Sequence, residues 1–434
     1  MNMEVEIISR DTIKPSTPTP THLQTYNLSY FDQLIPSVLV PILLYYPKPN
    51  TSTSSTTTTT TTCLKESLSK CLTKFYPLAG RLKDDASVDC NDAGVDYFEA
   101  KVTNCGILDV ITNPNAHSLR QLLPLDHHQP YSTLESPALL LVQVNQFQCG
   151  GIAIGVCVSH KVFDVSSLCA FVNGWSCATR GDGSEVIAPL FELATLFPWK
   201  DKNDNQGFEA AEEPRTDVVV AKRFVFNASD IARLREKARN SNVESPTRVE
   251  LVSAFIWKRF MELDRSRSCP TTKPYSAYHA VNLRKRRAPP LAEHSFGNMS
   301  SVVGALLTAN NNDHHEYCSL VGEIRGAIRG IDGEFVKKLE SGDEGHLERF
   351  KAGIMQASQG GNEQINFSSW CRVGFYDADF GWGRPVWVTT ISVDLPNLVI
   401  LMDTRSGDGI EVWVNMLEED IAGFASDPEL LALA

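Results

Sequence analysis

The sequence predicts a mixed α/β fold in two halves, and three observations predict it. The chain has 434 residues, the length of roughly two or three ordinary domains. Short apolar runs with strand character and stretches with helical spacing mix irregularly through both halves, with no strict short repeat of the solenoid kind. Between the halves lies a polar, aperiodic stretch, Asp201 to Thr216. It reads as a linker, so the expected domains are residues 1–200 and 217–434, joined by 201–216.

The elements follow in order. Ile13 to Pro20 is punctuated by prolines and reads as an extended lead-in. Thr51 to Thr62 is nearly pure Thr and Ser and reads as a flexible surface loop. Leu64, Leu68, Leu72 and Phe75 then recur at helical spacing, with Thr62 as the expected cap and Pro77 and Gly80 as the stop. Ser87 to Cys90, a turn over Asn91 to Gly94, and Val95 to Val102 predict a hairpin. Leu139 to Val144 and Gly151 to Val158 read as buried strands, the second delivering Ser159-His160 to a following helix with Leu168, Phe171, Val172 and Trp175 in one stripe. The second half begins with a strand, Val218 to Phe226, and a helix with Ile231, Leu234 and Ala238 on one face. Thr247 and Glu250 have capping-box spacing ahead of Val249, Val252, Ile256 and Phe260. Later strands are expected at Val302 to Leu307, Val386 to Val393, Leu398 to Met402 and Ile410 to Val414.

Composition removes several function classes. Hydrophobic residues make up 42% and charged residues 21%, which excludes a disordered or fibrous chain. With 40 Lys and Arg against 52 Asp and Glu, the net charge of -12 argues against general nucleic-acid binding, which depends on neutralising phosphates. The longest apolar runs, Val38 to Tyr46 with Pro41 inside it and Ile152 to Val158, fall far short of the ~20 residues of a membrane span. The first fifteen residues contain no unbroken apolar region of the signal-peptide kind. Eleven cysteines, none in a C-x-x-C pair, predict reduced thiols and a cytosolic setting. No Cys/His cluster has zinc spacing, so no metal is expected.

Four constellations could carry chemistry. His160-Lys161-Val162-Phe163-Asp164 places an imidazole at a strand-to-helix junction, where side chains can face a cavity. Read by itself it is a packed histidine beside a helix-start Asp. Read chemically it is a general base, since imidazole titrates near ~6.5 and can take a proton from an alcohol at neutral pH. Asp377 to Pro385 contains Asp379-Phe380-Gly381-Trp382-Gly383, either a turn stapled by Trp382 or a loop bordering a channel. Thr404 to Gly409 is a glycine-containing hairpin loop. Arg284-Lys285-Arg286-Arg287 reads as a surface basic patch. With the Thr247 helix start and Arg248 it could also serve phosphates, because a helix N-terminus offers free N–H groups and positive potential.

Taken jointly these pieces resemble the BAHD acyltransferases, the plant acyl-CoA-dependent family. The resemblance rests on His160 to Asp164 and Asp379 to Gly383. It also includes Asn282-Leu283-Arg284, Gly297-Asn298, Phe75 to Arg81 and Val88 to Asp92, in the expected order over essentially the whole chain. Ser368 to Arg372 and Met402 to Gly409 are closest to the vinorine synthase-like alkaloid acetyltransferase branch. The resemblance implies a mixed α/β fold of two chloramphenicol-acetyltransferase-like domains with a central active-site channel. By position it makes His160 the general base. It places Asp164 and Asp379 at the catalytic site, Asp164 as a structural partner of Arg284 and Asp379 as a shaper of the channel. Gly381, Trp382 and Gly383 support the site, and Thr247, Arg248 and Arg284 are candidate CoA contacts.

One departure stands out. The family usually has Gly after the motif Asp, where this chain has Val165, and Phe163 is larger than the usual small residue. The expected reaction is direct transfer from an acyl-CoA, acetyl-CoA by branch, to a hydroxyl of an alkaloid or terpenoid. It proceeds in a ternary complex with no bound cofactor, and the enzyme is a monomer. Two rivals remain at the level of sequence: a non-catalytic relative that binds a metabolite or partner, and hydrolysis of acyl-CoA by water.

Overall fold

A computed structural model describes residues 3–48, 57–125, 136–181, 183, 186–198, 218–239, 243–267, 274–307, 316–359, 363–391 and 395–433. The expected linker at 201–216 lies outside them. The chain forms two compact units. The first takes the described residues of 1–206 together with Ala292–Met299 and Val373–Ile391. The second takes those of 207–291, 300–372 and 392–434. Sequence order alone puts Asn298 and the Asp379 segment in the second half, whereas both pack with the first unit.

The first unit opens with β1 (Glu4–Ile13), β2 (Thr25–Asn27), β3 (Leu39–Tyr46), β4 (Arg81–Asp84), β5 (Ser87–Asp89), β6 (Val95–Thr103), β7 (Leu140–Phe147) and β8 (Ile152–Ser159). The second contains β9 (Val219–Phe226), β10 (Ser276–Asn282), β11 (Ser300–Leu306) and β12 (Gln364–Ser369). The chain then gives β13 (Trp387–Thr389) to the first unit, and β14 (Leu398–Asp403) and β15 (Ile410–Leu417) to the second.

Each unit is built on a six-stranded mixed sheet. In the first the order is β1-β6-β7-β8-β3-β13, and only β6 and β7 run parallel. Every residue of β8 is buried, as is β3 from Pro41 to Tyr46. Central strands covered on both faces read as continuous apolar runs rather than alternating ones, which is why these two are plain in the sequence. β1 is an edge strand, mostly exposed and interspersed with charges, so the sequence hides it. In the second unit the order is β11-β10-β12-β14-β15-β9, with β10, β12 and β14 mutually parallel. Its core gathers Val252, Phe255, Ile256 and Trp257 of the Arg248–Arg265 helix with Ile365, Val399, Val412 and Val414 of the sheet.

Three expectations change. The predicted hairpin over residues 87–102 does not form. β5 pairs with β2 and β4 in a separate three-stranded sheet, and β6 pairs with β1 and β7. The connecting turn hands the chain from one sheet to the other, with Asp92 at φ 54° and its carboxylate accepting from Thr19 N and Oγ1. Secondly, the Thr-rich segment is not all loop. The helix runs Thr57–Lys74, so Thr57 to Thr62 belong to it, while 51–56 lie outside the described residues. Packing of the Leu64 stripe against the Val165–Arg180 helix carries the helix back through residues of modest propensity. Thirdly, the basic run is not a free surface patch. Arg284 is fully buried, Arg286 donates to the carbonyls of Ile328 and Ile331, and Arg287 pairs with Glu340 at 2.8 Å.

Candidate active site

His160 follows directly on β8, and its N–H donates to the Val38 carbonyl at 2.8 Å, which continues the β3–β8 ladder by one residue. The ring is half-buried. Its Nδ1 lies 3.1 Å from Asn298 Oδ1. Asn298 Nδ2 reaches the His160 carbonyl at 2.8 Å and Asp32 Oδ1 at 2.8 Å, and Asn298 N donates to the same Asp32 oxygen at 2.9 Å. Asp32 is held in turn. Its other oxygen accepts from Ser29 N at 2.7 Å and Ser29 Oγ at 2.6 Å, the capping box of the short Tyr30–Gln33 helix. Complete burial raises the Asp32 carboxyl above its ordinary range, and the donors of Ser29 and Asn298 offset only part of the rise.

Lys161 turns the other way. Its ammonium donates to the carbonyls of Asp32 at 3.2 Å and Gln33 at 3.1 Å, at the C-terminal end of that helix, where positive charge is favoured. Asp164 is the N-cap of the Val165–Arg180 helix. One carboxylate oxygen accepts from Ser167 N at 2.9 Å and the other from Met299 N at 3.1 Å. It therefore ties the helix start to the returning Ala292–Met299 segment. Ser167 Oγ completes the tie by accepting from Gly297 N at 3.1 Å and donating to Gly297 O at 3.0 Å. Gly297 sits at φ 121°, a backbone conformation that favours glycine, and a Cβ there would press on the Leu193 side chain.

The two departures at the motif find local explanations. Val165 is the first helical residue after the Asp164 cap, where an ordinary right-handed backbone serves and no glycine is required. Phe163 is buried in a cluster of T-shaped contacts with Phe171 at 6.3 Å and Phe296 at 5.1 Å. Its bulk is absorbed by the core.

The Asp379 segment also lies in the first unit. Asp379 Oδ1 accepts from Gly381 N at 2.8 Å and Gly383 N at 2.9 Å, and both glycines have φ near 94°. The carboxylate thus folds its own loop, in the manner of an Asx turn. Tyr46 Oη donates to the Ala378 carbonyl at 2.8 Å and packs edge-on against Phe380 and Trp382. Burial, then the nearby Asp379 charge, holds the Tyr46 phenol well above its ordinary range, so it stays a donor.

The remaining candidates belong to the second unit. Thr247 caps the Arg248–Arg265 helix as the spacing predicts, with Glu250 N donating to its Oγ1 at 3.2 Å and its own N donating to Glu250 Oε2 at 2.7 Å. Arg325 then pairs with Glu250 at 2.7 Å. Burial alone raises the Glu250 carboxyl, but Arg325 and the cap lower it to a net depressed value. Arg248 donates to the carbonyls of Gly407 at 2.6 Å and Gly409 at 2.9 Å and pairs with Asp403 at 2.8 Å. Its guanidinium is engaged in fastening the Thr404 to Gly409 hairpin loop. Arg284 N donates to Asn282 Oδ1 at 3.0 Å, and its carbonyl accepts from Leu291 N at 2.9 Å.

Sequence reasoning passed over Asp32 and took Asn298 only as part of a motif. Ser29-x-x-Asp32 carries the spacing of a capping box and was the available signal for Asp32. No helix among the described residues is long and apolar enough to cross a membrane.

Comparison with known proteins matches residues 3–431 to the model of the Transferase family. The stemmadenine O-acetyltransferase of Catharanthus roseus is 38% identical over 435 residues, covering 98% of this chain and 97% of the relative. The epi-neemfruitin B 7-O-acetyltransferase of Melia azedarach is 37% identical, covering 100% of this chain and 98% of the relative. The crystal structure of vinorine synthase superposes with a TM-score of 0.84 at 36% identity, over 99% of this chain and 98% of that one.

Proposed function

The chain belongs to the Transferase family of BAHD acyltransferases, and we propose that it transfers acetyl from acetyl-CoA to a hydroxyl of an alkaloid or terpenoid, with His160 as general base. The enzyme is an acyltransferase of the acyl-CoA-dependent O-acyl class. The acetyl donor and the plant specialised-metabolite acceptor follow the character of the relatives. A cytosolic monomer is the working form in this reading.

The observation that carries it is His160 itself: a half-buried imidazole at a strand end, anchored among the described residues through one ring nitrogen, Nδ1. A base needs its proton-accepting atom free and its ring fixed. In the proposed step the ring takes the acceptor's hydroxyl proton as the oxygen attacks the thioester carbonyl. A tetrahedral oxyanion forms and collapses. The C–S bond breaks, and the departing CoA sulfur takes the proton back from His160. No acyl-enzyme is needed. Ser159, next to His160, is fully buried in the strand with its N–H paired to Leu139 O. Asp164 and Asp379 act by holding backbone, and Thr247 and Arg248 by stabilising the helix start and its neighbouring loop.

The test is CoA release followed by mass spectrometry. Acetyl-, malonyl-, benzoyl- and coumaroyl-CoA are each offered with pooled alkaloid and terpenoid alcohols, beside His160→Ala. Acceptor-dependent release from acetyl-CoA, lost in the variant, supports the proposal. Release that ignores the acceptor indicates a hydrolase. Tight acyl-CoA binding without release under any pairing indicates a binding protein.

A further inference from the structure

We infer that Asn298, anchored by the Asp32 carboxylate, is the positioning residue that fixes which nitrogen of His160 accepts the proton. The inference rests on the proposed role of His160 and deepens it. It follows from counting donors and acceptors.

The Asn298 side chain has two ends. One end faces the Asp32 carboxylate oxygen at 2.8 Å and the His160 carbonyl oxygen at 2.8 Å. Neither the carbonyl nor an ionised carboxylate can donate. The end that faces them must be the NH₂, which uses both of its hydrogens there. The identity of the Asn298 amide atoms is thus set by chemistry. The other end, the carbonyl oxygen, faces His160 Nδ1 at 3.1 Å and can only accept. Nδ1 must therefore carry the proton. In a neutral imidazole that leaves Nε2 as the bare nitrogen, the one able to act as base.

Asp32 supplies the anchor without touching the ring. Its oxygens meet four donors: Ser29 N, Ser29 Oγ, Asn298 N and Asn298 Nδ2. Three of these are N–H groups, which can only donate and which the Asp32 oxygens accept. The Lys161 ammonium rests on the backbone carbonyls of Asp32 and Gln33. The neighbouring Asp164 carboxylate is occupied by the N–H groups of Ser167 and Met299. The arrangement orients the base as a carboxylate does in a Ser-His-Asp triad, but with an amide inserted between. A neutral partner on Nδ1 fixes the tautomer without adding a charge against the ring.

The test reads the tautomer directly by nitrogen NMR on the full-length protein labelled at its histidine ring nitrogens, with His160→Gln identifying the His160 signals. At neutral pH the expected wild-type pattern is protonated Nδ1 and bare Nε2. Asn298→Ala is expected to lose that preference while keeping its fold by circular dichroism and its affinity for CoA. With whatever donor and acceptor pair the wild type turns over, kcat should fall about 10²-fold with little change in KM for the donor. Should Asn298→Ala fail to fold, the wild-type spectrum alone decides. Protonation on Nε2 in the wild type, or an unaltered tautomer and kcat in folded Asn298→Ala, overturns the inference. Full turnover by His160→Ala removes the base reading instead, and the spectrum still reports the tautomer.

Discussion

His160 and His279 are the same residue in opposite settings. His160 ends β8 in the first unit, half-buried, with one ring nitrogen on Asn298. His279 sits in mid-strand in β10 of the second unit, fully buried and stacked on Phe367 with ring centroids 4.6 Å apart. Neither of its ring nitrogens has a partner of normal hydrogen-bond geometry among the described residues. Burial lowers its pKa to about 4, against weaker upward pulls from the Ala277 backbone and the Glu250 carboxylate. The difference teaches that chemistry comes from what is left free. His160 has a held ring at a strand end, whereas His279 is packed as a neutral aromatic plate.

The sharpest way to break this contrast is truncation. His160→Ala should lose about 10²–10⁴-fold in turnover while CoA binding persists, and His279→Gln should leave turnover unchanged at neutral pH. A loss of turnover in His279→Gln with its stability intact would erase the contrast.

The next effect is acid sensitivity from the second unit. His279 is neutral when folded down to about pH 4 but charges near 6.5 when unfolded. Between those values the unfolded state binds more protons, so stability must fall as pH falls. The expected contribution is about 3 kcal/mol lost between pH 6.5 and 4. Denaturant midpoints across that window should show it, and His279→Gln should flatten the slope.

Asp164→Ala comes third. It orphans the helix N-cap and the Met299 N–H, and should cost about 2 kcal/mol in urea unfolding, with turnover falling through displacement of the Gly297–Asn298 segment. Asp164→Asn keeps an acceptor for the cap and should recover part of both.

The smallest effect expected is at Arg248. Arg248→Met should loosen the 404–409 loop at a cost of about 1 kcal/mol, with an unchanged KM for acyl-CoA. A tenfold rise in that KM at full stability would support the expected role of Arg248 as a CoA contact.

Much of this was legible beforehand because it is local. β8 announces itself as an unbroken apolar run, and the Thr247–Glu250 capping box has the three-residue spacing its geometry requires. Asp164 was visible as a helix-start acid. What could not be read is where partners far apart in sequence meet. The turn after Asp89 looks like a hairpin turn, yet whether it closes one depends on which sheet each flanking strand joins. Thr57 to Thr62 looks like loop, yet a packed stripe further along recruits it into a helix.

The sequence by itself determined the family and the class of reaction, and it singled out His160 as the candidate base. It did so through residue types at short fixed spacings, which encode local backbone geometry. Only the tertiary structure decided how that imidazole is held. Asn298 is 138 residues from His160 and 266 from Asp32 along the chain. Hydrogen bonds act over about 3 Å whatever the separation in sequence, so their partners become evident only once the chain has folded.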